Sequence, residues 1–188
     1  MKRLALPLAL CAGLSAQAAE TLTIDATHSA VIFSWNHLGI SNPVARLEKI
    51  EGQVILDRDH PAKSSVTVTL PVDGLRTGVA ALDHRLVTDE FLDAAQYPAV
   101  TFRSTGVRMT GPKSFKLSGD LSIHGVTRPV VLNAKVNAIG VNGFSGALMA
   151  GFEADAVIRR SDFGVSRYVP SITDELTVHI TIHAEPPE

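Results

Sequence analysis

Thiol chemistry is almost absent from this sequence. Its one cysteine, Cys11, falls in an amino-terminal stretch that reads as an export signal. Lys2 and Arg3 form a basic head, "LALPLALCAGL" (4–14) is the apolar run, and "AQA" (16–18) puts small residues where a signal peptidase reads them. Cleavage is expected after Ala18, which leaves residues 19–188 as a single domain. Leu10 precedes Cys11 where a lipid anchor needs a small residue, so no anchor is expected. The exported chain then has neither disulfide nor cysteine nucleophile, and core burial alone must hold its fold. Long apolar runs are missing too: residues 4–14 are too few to span a bilayer, and nothing later is longer, which argues against stable membrane insertion. A basic cluster is also missing. Without Lys2 and Arg3 the chain carries 15 basic against 19 acidic residues. That balance excludes nucleic acid as a natural partner, and with it electrostatic docking to an anionic membrane. There is no tandem repeat, low-complexity tract or linker. "GVNGFSG" (140–146) lacks both the dinucleotide fingerprint and the nucleophile elbow, and reads as a hairpin turn. "SDFG" (161–164) has the letters of a kinase motif but no Gly-rich phosphate loop or catalytic loop to accompany it, and reads as a strand end.

What the sequence does have is period two. Val66, Val68, Leu70 and Val72 alternate with Thr67, Thr69 and Pro71. Phe115, Leu117, Gly119, Leu121 and Ile123 share one face, as do Val130, Leu132, Ala134, Val136 and Ala138. Leu176, Val178, Ile180 and Ile182 form another face, opposite Glu175, Thr177, His179, Thr181 and His183. Further strands are readable near 21–25, 29–38, 45–57, 98–110 and 145–160, and turn signals such as "DRDHPAKS" and "TGPKS" separate most of them. One segment departs: residues 78–98 space Leu82, Leu86, Phe91 and Leu92 in a more helical way before Pro98, and Thr88-Asp89-Glu90 is a start signal for a second short helix. The expectation is an all-β domain of about eight antiparallel strands with a short helical insertion. One apolar face per strand fits a sandwich or a barrel, and periodicity does not choose between them. A closed barrel would remove exposed edges, and at about eight strands its interior is filled by side chains or holds one small ligand.

Few residues present themselves for chemistry. His179 and His183 have metal-pair spacing for a helix, but on a strand they stand roughly 13 Å apart on the polar face. They read as solvated histidines, and no metal site is expected. Ser, His and acidic residues are all present without any sign that three of them converge. His124 ends a run of alternation and is followed by Gly125, which reads as a hairpin loop tied by the imidazole; contact with a ligand head group is the alternative. Val31, Phe33, Trp35 and His37 share a face that suits either core or cavity lining.

Four stretches taken in order resemble the YceI-like family of periplasmic polyisoprenoid-binding proteins. "IDATHSAVIFSWNHLGIS" (24–41) is similar to the family's opening, with Asp25, His28, Ser29, Phe33, His37 and Gly39 in place. "LDHRLVTDEFLDAAQYPAVTFRST" (82–105), "GDLSIHGVTRPVVL" (119–132) and "IRRSDFGV" (158–165) follow. Two departures stand out: "ARLEKIEG" (45–52) lacks the usual Gly-x-Phe step, and "FLD" replaces Phe-Phe-Asp. The resemblance implies an eight-stranded antiparallel lipocalin-like barrel. It also implies a non-enzymatic periplasmic protein that holds an isoprenoid, a polyprenyl chain or quinone, for transport, storage or stress response. Phe33, Trp35, Phe102, Leu117, Leu121, Leu132 and Phe152 are the expected tail contacts, and His37, Arg103 and Asp162 the expected polar contacts. No cofactor is required on this reading beyond the bound lipid or quinone, and a homodimer stays open. The rivals are an enzyme acting on a lipid or quinone in the same barrel, and an interaction protein whose barrel is packed solid.

Overall fold

The computed structural model describes residues 19–187, so the segment read as an export signal lies outside the described residues. Eleven strands form one antiparallel sheet: β1 (Glu20–Ile24), β2 (Ala30–Ser34), β3 (Val44–Leu47), β4 (Glu51–Leu56), β5 (Ser65–Pro71), β6 (Leu75–Arg76), β7 (Ala99–Met109), β8 (Ser114–Ile123), β9 (Val126–Val141), β10 (Leu148–Arg159) and β11 (Glu175–Glu185). Pairing runs β1-β4-β5-β7-β8-β9-β10-β11, and β11 returns to β1 through Thr23↔Glu185 and Ile24↔Ala184. That is a closed eight-stranded barrel. β2, β3 and β6 continue the first three staves: β2 also pairs with β11, β3 with β2, and β6 with β3. Each of those staves is broken, at Asp25–Ser29, at Glu48–Ile50 and at the 3-10 turn Val72–Gly74. Closure satisfies the backbone groups that long alternating strands would otherwise leave open at an edge.

The alternation read from the sequence maps onto inside and outside. Phe115, Leu117, Leu121 and Ile123 of β8 and Leu176, Val178, Ile180 and Ile182 of β11 all face the interior. Two bulges shift the parity. On β7 the register slips between Ser104 and Gly106, so Phe102 and then Val107 point inward. On β9, Asn137 is the extra residue opposite the Gly151–Phe152 step, so Ile139 takes the inner face and Ala138, expected there, turns outward. β9 starts at Val126 and runs through Pro129, earlier than the proline suggests.

The segment 78–98 contains one helix, α1 (Ala80–Leu86). Thr88–Glu90 does not open a second: Phe91 and Asp93 donate back to the Thr88 carbonyl, and the chain proceeds by turns to Pro98. The short, acid-rich spacing after Leu86 gives no continuous apolar face for another helix to bury.

His124 and Gly125 form the two-residue hairpin between β8 and β9, both with positive φ (+50° and +74°), which is the type I′ turn that matches strand twist. Gly125 is required twice over, since a Cβ there would also meet the Tyr97 ring at 2.5 Å. The imidazole stacks edge-on against Tyr97, ring centres 4.8 Å apart, and this contact fixes the turn instead of the expected hydrogen bond. Gly119, earlier in the same stretch, makes room for the Phe102 ring, which a Cβ would meet at 2.3 Å.

Candidate functional site

The barrel encloses a cavity of about 920 Å³, within the range of sites that hold drug-sized or larger apolar ligands. Its walls are the inward residues of the staves. Val54, Val66, Val68 and Leu70 come from the broken half; Phe102, Leu117, Leu121 and Ile180 come from the long strands. Small residues widen one wall, where Ala134, Ala154 and Ala156 face in beside Ile158. Polar groups sit at the two ends. Asp57, Arg58, Ser64, Ser65 and Lys113 stand where β4 meets β5 and β7 meets β8. His37, Arg85, Arg160 and Tyr168 stand at the opposite end.

That opposite end is covered by α1, the turns after it and the loop from Gly164 to Asp174. Leu82, Leu86, Phe91 and Leu92 line the cavity from this cover. Asp83 secures the start of α1 by accepting from the Thr77 amide and hydroxyl, both at 2.6 Å. Arg85 ties the cover to the loop: Nη2 donates to the Tyr168 hydroxyl at 2.7 Å, and Nε meets Glu90 at 2.7 Å. Glu90 in turn pairs with Arg167 at 3.1 Å. Arg85 and Arg167 both lie over the Tyr168 ring, at 5.4 and 5.0 Å.

The loop itself is shaped by Arg160, which is 7% exposed. Nε donates to the Thr173 carbonyl, Nη1 to those of Val165 and Arg167, and Nη2 to that of Ile172, all within 2.9 Å. The guanidinium thus spends its planar fork on four backbone oxygens that would otherwise lack partners. Burial pushes its pKa down, and Asp174 acts against that shift. Asp174 closes the loop's base, accepting from the Ser161 hydroxyl (2.7 Å) and amide (2.8 Å) and from Arg159 Nε (3.3 Å). These bonds, the Ser161 hydroxyl first, hold its carboxyl below its ordinary value.

Eight of the residues expected at the site line the cavity: Phe33, Trp35, His37, Phe102, Leu117, Leu121, Leu132 and Phe152. Phe33 and Trp35 lie tilted together, ring centres 6.1 Å apart. Two expectations are corrected. Arg103 follows the inward Phe102, so the pleat places it outside, in register with Thr67 and Asp120. Asp162 is exposed in the 3-10 turn Arg160–Phe163; its carbonyl accepts from Arg128 Nε, and its neighbour Phe163 goes into the core. His124 does not line the cavity either. It borders a shallow outer hollow with Asp89, Glu90, Arg167 and Tyr168. Arg85, Arg160 and Tyr168 were not anticipated. Arg85 and Tyr168 are 83 residues apart, and no local pattern announces that they meet.

The geometry is that of an enclosed apolar container with polar ends, and comparison with known proteins agrees in fold. The YceI-like domain profile matches residues 22–184. Protein YceI of Shigella sonnei is 32% identical over 171 residues, which cover 91% of this chain and 88% of that protein. The crystal structure of the Campylobacter jejuni YceI protein is 26% identical, with a TM-score of 0.73 over 81% of this chain and 90% of that one. A polyisoprenoid binding domain from Saccharophagus degradans, 16% identical, shares the fold at a TM-score of 0.68 over 90% of this chain and 99% of that domain. With a profile match across nearly all the described residues and a barrel of the same topology, this chain belongs to the YceI-like family.

Proposed function

We propose that this protein is a periplasmic binding protein that holds the tail of an isoprenoid amphiphile, a polyprenyl lipid or quinone, in its barrel, and that it carries or stores that molecule without transforming it. The observation that carries the reading is the cavity of about 920 Å³ with its nearly continuous apolar wall. An isoprenoid tail offers apolar surface alone, and each buried methylene-sized group contributes about 0.8 kcal/mol. A five-carbon unit therefore contributes on the order of 4 kcal/mol before the costs of ordering are subtracted. The likeness to the polyisoprenoid binding domain from Saccharophagus degradans supports the same ligand class, and the basic-apolar-small pattern of residues 2–18 supports export. His37, Arg85 and Tyr168 at the covered end are the polar groups placed to meet a head group. Binding is favoured over catalysis because the titratable cavity-lining groups divide between opposite ends of the barrel instead of converging on one reacting centre.

The test is mass spectrometry of an organic extract of the purified protein, with a mock purification as control. A prenyl lipid or quinone in near-stoichiometric amount is expected. A blank that persists after incubation with a quinone and with a polyprenyl phosphate would overturn the reading.

A further inference from the structure

The first stave does not pass smoothly along β11. Ile24 pairs with Ala184 and Ala30 with Thr181. Five residues, Asp25–Ser29, therefore lie opposite two, Ile182 and His183. The surplus folds into the 3-10 turn Ala26–His28 and brings Asp25 and His28 over His183 on the outer wall. This is the seam where the first and last strands close the barrel.

Three side chains meet there. Asp25 Oδ2 lies 2.5 Å from His28 Nδ1 and 3.6 Å from His183 Nδ1, and one ligand atom from each of the three residues falls within 4.8 Å of the others. Asp25 is already oriented: its Oδ1 caps the turn by accepting from the Thr27 amide at 2.8 Å, leaving Oδ2 to the histidines. His183 is oriented from its backbone. Its amide donates to the Ser29 hydroxyl at 3.0 Å, and its carbonyl accepts from the Asp25 amide at 2.9 Å. Its ring is poorly served: Nδ1 is beyond hydrogen-bond distance of Asp25, and Nε2 is shut off from solvent without a partner in good geometry. Glu185 Oε1 lies 3.1 Å from that Nε2, off the direction of a good bond, and is itself held by Asn142 Nδ2 at 3.1 Å. Only Nε2 is buried; the side chain as a whole is 26% exposed, with Nδ1 turned toward Asp25.

We propose that Asp25, His28 and His183 form a site for one divalent transition-metal ion, which fastens the first stave to the last across the barrel seam. Two imidazoles and one carboxylate are a ligand set for zinc, nickel or copper, and a poor one for calcium or magnesium. Tetrahedral ligands at roughly 2.0–2.1 Å from a metal stand about 3.3 Å apart. The Asp25–His183 separation already suits this, and the Asp25–His28 hydrogen bond has only to open by roughly an ångström. Glu185, behind Nε2 of His183, has the place of the carboxylate that orients a metal-bound histidine. The bound ion would join residues some 155–158 positions apart in a chain whose domain has no disulfide, and would stabilise the folded state by mass action.

The test uses untagged, chelator-treated protein titrated calorimetrically with zinc and with nickel, and melted with and without zinc. One ion per chain with micromolar affinity is expected, with a melting temperature that rises by a few degrees. His28→Gln changes an exposed side chain, so the variant should fold as the parent does. It and His183→Gln should each lose binding and the thermal response, Glu185→Gln should weaken binding about 10-fold, and His179→Gln should bind as the parent does. Absence of micromolar binding, binding unchanged in both His28→Gln and His183→Gln, or binding lost in His179→Gln would overturn the site. Binding without any rise in melting temperature would overturn the fastening role.

Discussion

The two halves of the barrel use the same alternation to different ends. The first three staves are broken into short strands and hold deeply buried core residues, Leu22 at 0% exposed, Leu75 at 1% and Val72 at 2%, alongside the cavity-facing Phe33, Val66 and Val68. The other five staves run unbroken for 10 to 16 residues. Many of their inward residues, Phe102, Leu121 and Ile180 among them, are only partly buried because they face open cavity. Breaks let a sheet fold closely onto its own core, while long strands with bulges and facing alanines keep a wall at a distance. The broken half contributes more of the packed core, and the long strands contribute more of the cavity wall.

Removing the organiser of the loop at the covered end should break this division most severely. Arg160→Met leaves four carbonyls without a donor and should cost about 3–5 kcal/mol, read from urea unfolding. A paired comparison sharpens the contrast itself. Leu75→Ala opens a hole in packed core and should cost about 2–5 kcal/mol, whereas Leu121→Ala enlarges a space that already exists and should cost less than half as much while weakening ligand retention. Equal losses of stability in the two variants would mean the halves are packed alike. Acid should act next. The Asp174 carboxyl is held below its unfolded value, so its contribution is present above that value and is lost as pH falls through the folded one. Asp174→Asn should therefore flatten the acid limb of a stability-against-pH curve, and a limb of unchanged steepness would remove Asp174 from that account. The smallest effect on stability belongs to the fastening of the cover. Arg85→Ala breaks an exposed pair and should leave stability nearly unchanged, yet it should speed release of a bound fluorescent fatty or prenyl probe measured by stopped flow.

The staves were legible in the sequence because burial on one face of a strand writes itself as alternation, and β8 and β11 match it residue for residue. Eight of the ten expected site residues could be placed for the same reason. Arg103 and Asp162 could not: Arg103 faces outward by the pleat beside the inward Phe102, and Asp162 sits exposed in the 3-10 turn Arg160–Phe163. The break at Asp25–Ser29 shows as the gap between the strands read near 21–25 and 29–38, whereas those at Glu48–Ile50 and Val72–Gly74 left little trace. Whether the interior is hollow was illegible, because Ala134, Ala154 and Ala156 satisfy period two equally well in a packed barrel. The four-carbonyl role of Arg160 was hidden too, since backbone acceptors have no letter in a sequence.

Closure between the first strand and the last has a consequence for biogenesis. Thr23 finds Glu185 only after the whole domain is available, so a chain emerging amino-terminus first cannot seal its barrel until residues 175–185 arrive. Until then β1 and β2 present an unpaired edge, the kind that joins other chains, and the high sequence separation of the closing contacts slows the search for them. A protein of this topology should fold best at low local concentration, and overproduction should reveal itself as edge-to-edge aggregation before it reveals itself as loss of fold.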